Sequence, residues 1–536
     1  MSVGLTRDSG LFTAETQRWR EAIRWRRSQY HLAVAGGSSR YSGPCCDTTH
    51  PLRRGGTDSY ATWIVALLRC GSRFLSKLTE KDYFVMVEKI TSSDGSHPVV
   101  SSRRFTLNIF WTFGARLLMI VNSVAAGVIV AHVLGVTGVG ELAVINVSIA
   151  TLVQLASFGL PSANTFFIAQ DTRRFRTVAT NSILFALLFG SVLAIGLYLV
   201  AFRRPDWFGN VATNLIGIAA IAIPFQLITL IGLNILLAIG RVRDFNILDL
   251  AGQSFVLVNS LVALILLHRG LPELVTFNTI ASVGVGVVII GLILVSGSRL
   301  ENLKWRADLS LFSQMMRYGL KFHVSILAGA LIFRADLLVV NHFRGAAEAG
   351  VYSVASQMAL MLMLLPGVIA TLLFPRVASE QDQRGETTCL VTRHTTFVMF
   401  ILCLSAAPLS FLLPVVYGAA FAESSWQLLI LLPGVFLVGL QSVLVQHFNA
   451  LGLPRVIPVF WVVTLGVNVA LVFAFVPWFG ARGAAIASTI SYSLIFVLVT
   501  IYFQRTTGRP LSDAFVLRRS ELVRLRSLVT TLAALS

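Results

Sequence analysis

From Phe105 to Gln504 the chain is a succession of long apolar segments, almost all free of charge. A stretch of about 20 apolar residues matches the ~30 Å hydrocarbon layer of a bilayer. A soluble core could not bury a dozen such stretches. The chain therefore reads as an integral membrane protein whose work concerns something in or across the membrane. The mean hydropathy of +0.76 agrees. So does the charged fraction of 13%, against about 25% in soluble domains.

The apolar pattern predicts an all-α fold of twelve transmembrane helices, near 105–134, 139–169, 177–202, 211–239, 245–267, 273–296, 320–343, 349–375, 394–416, 425–451, 456–478 and 482–504. The connections are short, so neighbours run antiparallel. The longer stretch near 299–319 divides the set six and six, and its mixture of charge with Leu, Trp and Phe suits an amphipathic cytoplasmic linker at the membrane surface. This gives a first bundle at 105–298, a second at 320–504 and a basic cytoplasmic tail at 505–536. Residues 1–104 are polar and rich in Arg and Ser, and they read as disorder or as an extension upstream of the natural start. Their short apolar stretch, Ala61–Leu68, cannot span.

Loop charge sets the orientation. With the N-terminus inside, the inner loops hold fourteen cations, among them Arg173, Arg174, Arg176, Arg241 and Arg243, and the outer loops hold five. The positive-inside rule then places both termini in the cytoplasm. The net charge of +18 is explained in the same way, by loops facing anionic headgroups. No nucleic-acid motif accompanies it.

The two halves echo each other. Gly135 and Gly140 precede one apolar run, and Gly345 and Gly350 precede another, at an offset of 210 residues in both cases. Pro161 and Gln170–Asp171 follow the first run; Pro375 and Gln381–Asp382 follow the second. Duplicated bundles with a site at the repeat interface are a known transporter design.

Charge inside the apolar helices marks candidate sites, because it is costly there. Asn108, Arg116 and Ser123 share one face of the first helix. His323, Arg334 and Asn341 fall within about 20° of one line on the seventh. The functional reading is a cationic groove for an anionic headgroup, since guanidinium binds phosphate bidentately and stays charged. The alternative for both arginines is a structural ion pair or snorkelling. Asp336 lies nearly opposite Arg334 and pairs with another helix or couples to a cation. Asp249 is expected to pair with nearby Arg243. Weaker polar positions include Gln154, Asn164 and Gln357. There is no metal-ligand cluster, phosphate loop or nucleophile elbow, so the chain reads as a non-enzyme without cofactor. Its five cysteines suit neither a disulfide framework nor a metal site.

Three stretches carry a family resemblance: NIFWTFGARLLMIVNSVAAGVIVAHVLGVTGVGELAVINV at 108–147, SFGLPSANTFFIAQ at 157–170 and FRADLLVVNHFRGAAEAGVYSVASQM at 333–358. Over about residues 100–505 the chain resembles the polysaccharide-repeat-unit flippases of the multidrug/oligosaccharidyl-lipid/polysaccharide exporter superfamily. The resemblance implies two pseudo-symmetric six-helix bundles around a central cavity that opens alternately to either side. It implies undecaprenyl-diphosphate-linked oligosaccharide as substrate, flipped across the bacterial inner membrane for O-antigen, capsule or exopolysaccharide assembly. A polysaccharide polymerase and a chain-length regulator are the partners it implies. Arg116 and Arg334 match the type of position at which that family is thought to hold the diphosphate. Two alternatives stand beside this reading. One is a cation-coupled multidrug exporter of the same superfamily, using Asp336. The other is a membrane-embedded polymerase, against which the short outer loops count.

Overall fold

The computed structural model describes residues 103–516 apart from 210, 299–304, 381 and 453. The expectations for residues 1–102, for the linker over 299–304 and for the tail beyond 516 lie outside the described residues. Every described element is helical. The helices are α1 (Arg103–Ala156), α2 (Leu160–Gln170), α3 (Phe175–Arg203), α4 (Thr213–Ala220), α5 (Ala222–Ala238), α6 (Val242–Ser260), α7 (Leu271–Ser298), α8 (Leu309–Arg344), α9 (Ala346–Leu362), α10 (Leu364–Glu380), α11 (Glu386–Ser410), α12 (Leu413–Tyr417), α13 (Ala422–Ala450), α14 (Val456–Thr507) and α15 (Leu511–Phe515). Among the described residues, ten helical stretches are long and apolar enough to cross a membrane. The chain is a multi-pass membrane protein. On α3 the lipid-facing side is plain: Leu188, Val192 and Ile195 recur at helical spacing and are each more than 60% exposed.

Breaks within the long helices have identifiable causes. Gly135 in α1 adopts φ 66°, ψ −173°, and Gly480 in α14 adopts φ 58°, ψ −141°. These backbone states suit a residue without Cβ, and each bends its helix into two limbs. Pro224 cannot donate to the carbonyl four residues earlier, and the helix expected over 211–239 divides at Ile221 into α4 and α5. Pro161 sits in the first turn of α2, where its missing N–H costs nothing. The segment expected at 349–375 divides at Met363 into α9 and α10. Val242–Ser260 continues as a π-helical turn, Leu261–Leu266.

Of the stretch between α7 and α8, residues 305–308 and the start of α8 are described. Residues 305–308 are non-helical, and from Leu309 the chain is already the first part of α8. Asp308 caps that helix by accepting from the Ser310 and Leu311 amides. Asn181 of α3 exchanges two hydrogen bonds with the Asp308 backbone. Asp308 is thus held against α3, and α8 begins at Leu309.

One fastening occurs twice along the chain. Arg176 at the start of α3 donates through Nε and Nη2 to the Gly297 carbonyl, 121 residues on. Arg393 in α11 donates through the same two nitrogens to the Asp513 carbonyl, 120 residues on. One guanidinium fork fastens α3 to the end of α7, and the other fastens α11 to the short helix α15.

The halves meet at two glycine contacts. At one end, a Cβ on Gly140 would fall 1.7 Å from the Ala346 carbonyl oxygen, and one on Gly350 would fall 2.1 Å from that of Val136. The paired hairpins read from the sequence therefore pack directly on each other. Toward the opposite end, a Cβ on Gly159 would lie 2.2 Å from the Gly319 carbonyl oxygen, and one on Gly319 would lie 2.6 Å from that of Phe158. Phe158 itself has φ 43°, a strained state for an aromatic residue. Its ring packs against Phe185, Phe189 and His323. Close backbone approach over small residues is how helices associate where lipid removes the hydrophobic driving force.

Candidate functional site: a guanidinium in a cavity between the halves

Between the two glycine contacts lies a cavity of about 120 Å³. The second limb of α1 supplies Ala150, Thr151 and Gln154; α8 supplies Leu327, Ala330, Leu331 and Arg334. Thr151 and Gln154 share a face because they are three residues apart on a helix. Arg334 is exposed to this space. Among the described residues its guanidinium makes neither an ion pair nor a hydrogen bond. A guanidinium carries five donors and a fixed charge, so the cavity presents donors suited to an oxyanion.

The polar stripe on α8 is treated unequally. His323 and Asn341 were expected beside Arg334, and the helix does put all three on one side, but neither lines the cavity. His323 is 4% exposed, with Nδ1 3.5 Å from the Ser157 hydroxyl and its ring against Phe158. Asn341 is 1% exposed and sits against Gly209 in the loop after α3. The reason is tertiary. The first half covers this face of α8 at both ends and leaves only the middle open.

Arg116 is placed elsewhere. Its Nη1 lies 3.0 Å from Asp249 Oδ2 on α6, with both side chains partly exposed. Asp249 thus takes Arg116 as partner, not the expected Arg243, and Arg241 pairs with Asp244. A second polar link follows along the same helix pair, Asn122 Nδ2 to Ser254 Oγ at 2.8 Å. Ser123 instead accepts from Gln357 of α9 at 2.6 Å, joining the two halves. Asn108 lies in α1, with its side chain outside the described residues.

Asp336, about 200° around α8 from Arg334, points into the second half and is 2% exposed. It accepts a short hydrogen bond from the Tyr352 hydroxyl of α9. It also accepts from Ser488 Oγ of α14 at 2.8 Å and from the Leu337 amide at 2.8 Å. The carboxylate is thus hydrogen-bonded to α9, to α14 and to its own helix. No cluster of three or more metal-ligating side chains occurs among the described residues.

Two lining residues carry little signal in the sequence. Gln154 is one of several polar positions in the apolar helices, and Thr151 is a residue type common in such helices. Their three-residue spacing was the available signal, but it means little until α8 is known to lie opposite.

Long apolar helices, close glycine contacts between α1 and α8–α9, and a cation in a cavity that is unpaired among the described residues define a multi-pass helical membrane protein with a polar site inside it. The chain matches the family described as polysaccharide biosynthesis protein over residues 105–381, and it belongs to that family. It is 25% identical over 200 residues to a Shigella flexneri protein named for O-antigen transport, covering 36% of this chain and 47% of that one. It is 26% identical over 230 residues to the amylovoran biosynthesis protein AmsL of Erwinia amylovora, covering 40% and 59%. A Haloferax volcanii protein named as a flippase, AglR, is 25% identical over 334 residues, covering 58% and 66%. The matched stretch is thus less than two thirds of each relative's own length. Among solved structures, the lipid II flippase MurJ in an inward closed conformation aligns with a TM-score of 0.63 at 15% identity, covering 76% of this chain and 89% of MurJ. An inward-facing multidrug resistance transporter of the MATE family aligns at 0.58 and 14%, covering 75% and 98%. At these identities the likeness is one of fold.

Proposed function

We propose that the protein is a flippase that moves undecaprenyl-diphosphate-linked oligosaccharide units from the inner to the outer leaflet of a bacterial inner membrane, for surface polysaccharide biosynthesis. Both termini lie in the cytoplasm, as loop charge favours. The ten apolar stretches make twelve crossings in two six-helix bundles. Support comes from length: the 43 residues of Gly114–Ala156 would run ~65 Å at about 1.5 Å per residue, twice the ~30 Å layer. Gly135 and Gly480 are where α1 and α14 turn back. A polysaccharide polymerase and a chain-length regulator are the partners that would consume the flipped unit.

The observation that carries the reading is Arg334, a guanidinium without a partner among the described residues, in a cavity between α1 and α8. It binds the diphosphate, and the polyprenyl tail stays in lipid while the bundles rock. Arg116, His323, Asn341 and Asn108 join the path of the headgroup when the halves separate and the covered ends of α8 open. Arg334→Ala should abolish surface polysaccharide while leaving normal amounts of folded protein in the membrane. Normal polysaccharide from that variant would refute the role.

A cation-coupled multidrug exporter is the second reading, favoured by Asp336, a buried carboxylate on the same helix as the cavity cation. Within the flippase reading Asp336 is the coupling residue, taking up a proton or Na⁺. Drug-resistance assays on an expressing strain separate the two activities.

A further inference from the structure

We infer that Thr151 and Gln154 of the first half, together with Arg334 of the second, form one oxyanion clamp that the bound headgroup closes. This rests on the flippase reading above and deepens it. The three polar side chains are the only ones that line the described cavity, and they come from opposite halves. Neither the Thr151 hydroxyl nor the Gln154 amide is taken up by a hydrogen bond among the described residues. Both are thus left to the cavity, whereas the helical hydroxyls of Thr165, Thr180 and Thr229 each donate to the carbonyl four residues earlier. A guanidinium, an amide N–H and a hydroxyl facing one space supply donors on both sides of a tetrahedral or planar oxyanion.

Size limits what the clamp holds. Pockets for drug-sized ligands run to about 300–1,000 Å³, and this cavity is about 120 Å³. It has room for a single phosphoryl or carboxylate group and none for a chain of sugars. The clamp therefore grips one charged group of the substrate, and the sugars need a wider, opened state. An oxyanion held by Arg334 alone touches one half. Held also by Thr151 and Gln154, it ties the halves together midway between the Gly140–Gly350 and Gly159–Gly319 contacts. The substrate's own charge thereby favours the closed state that lies between inward and outward opening.

The test uses the full chain purified in nanodiscs, with inorganic pyrophosphate and sodium glucuronate as probes for the phosphoryl and sugar-acid sources. Thermal stabilisation against probe concentration reports apparent affinity. Pyrophosphate should stabilise the wild type. Gln154→Leu and Thr151→Val should each weaken that affinity at least ~10-fold, as expected for a lost hydrogen bond to a charged group. Gln154→Glu, nearly isosteric but anionic, should abolish it. Probe-free melting curves that match the wild type show these variants to be folded. If Arg334→Gln loses binding while all three first-half variants bind normally, the clamp is overturned and the Arg334 site stands. If Arg334→Gln binds normally, or the wild type binds neither probe, the Arg334 site falls as well. Stabilisation by glucuronate in place of pyrophosphate, with the same variant pattern, upholds the clamp and assigns it to an acidic sugar.

Discussion

Gly140 and Gly350 pack backbone to backbone across the interface between halves, so closely that a side chain on either would overlap a carbonyl of the other hairpin. They are the equivalent members of the two echoed hairpins. Glycine at both positions is what lets the halves shut at this end, just as Gly159 and Gly319 do toward the other.

The first prediction concerns these contacts. Gly350→Ala forces a methyl onto the Val136 carbonyl, and the hairpins must part. Overpacking of this kind costs about 1–3 kcal/mol, but here the molecule can escape it by opening. The variant Thr151→Cys, labelled with a membrane-impermeant maleimide from outside the cell, should react several-fold faster in the Gly350→Ala background. Unchanged labelling would mean that this contact is not a gate.

The Arg116–Asp249 pair gives a second prediction. Both groups are partly exposed, so their coupling should be modest, on the order of 1 kcal/mol after screening. Arg116→Gln and Asp249→Asn should each lower the melting temperature by leaving an uncompensated charge. The double variant should recover part of the loss. A strictly additive double variant would show that the pair contributes nothing as a pair.

Asp336 separates polar satisfaction from charge. Asp336→Asn keeps an acceptor for the Tyr352 and Ser488 hydroxyls and should melt close to the wild type. Asp336→Leu strands both buried hydroxyls, at about 1–3 kcal/mol for each one left unsatisfied, and should melt clearly lower. If Asp336 also couples a cation, the Asn variant will fold yet lose the dependence of transport on the proton or Na⁺ gradient. Intact gradient dependence in that variant would leave Asp336 with a purely architectural role.

A fourth prediction concerns the bend in α14. Glu348 Oε1 accepts from the Ala481 amide at 2.7 Å, just after Gly480, and its other oxygen meets Arg344. This caps the limb that starts at Ala481. Glu348→Gln retains an acceptor and should change the melting temperature little, whereas Glu348→Ala should cost about 1 kcal/mol, as loss of a cap does. Equal melting of the two variants would remove the capping role.

Membrane character, the succession of helices, the paired glycine hairpins and the two arginines could all be read along the chain. Each depends on local composition or on a helical repeat of 3.6 residues, and lipid leaves the backbone few other solutions. Glycine and proline marked several of the breaks, because those residues alter backbone freedom wherever they occur. What distinguishes Arg334 from Arg116 could not be read in this way. Both are single cations in apolar helices; one meets Asp249, 133 positions away, and the other meets open space. His323 and Asn341 likewise share a line with Arg334, and only the covering first half shows that they are shut in. Periodicity specifies which direction a side chain leaves its own helix. Which neighbour stands there is settled by long-range packing between halves, where glycine contacts bring some backbones together and leave a gap beside Arg334.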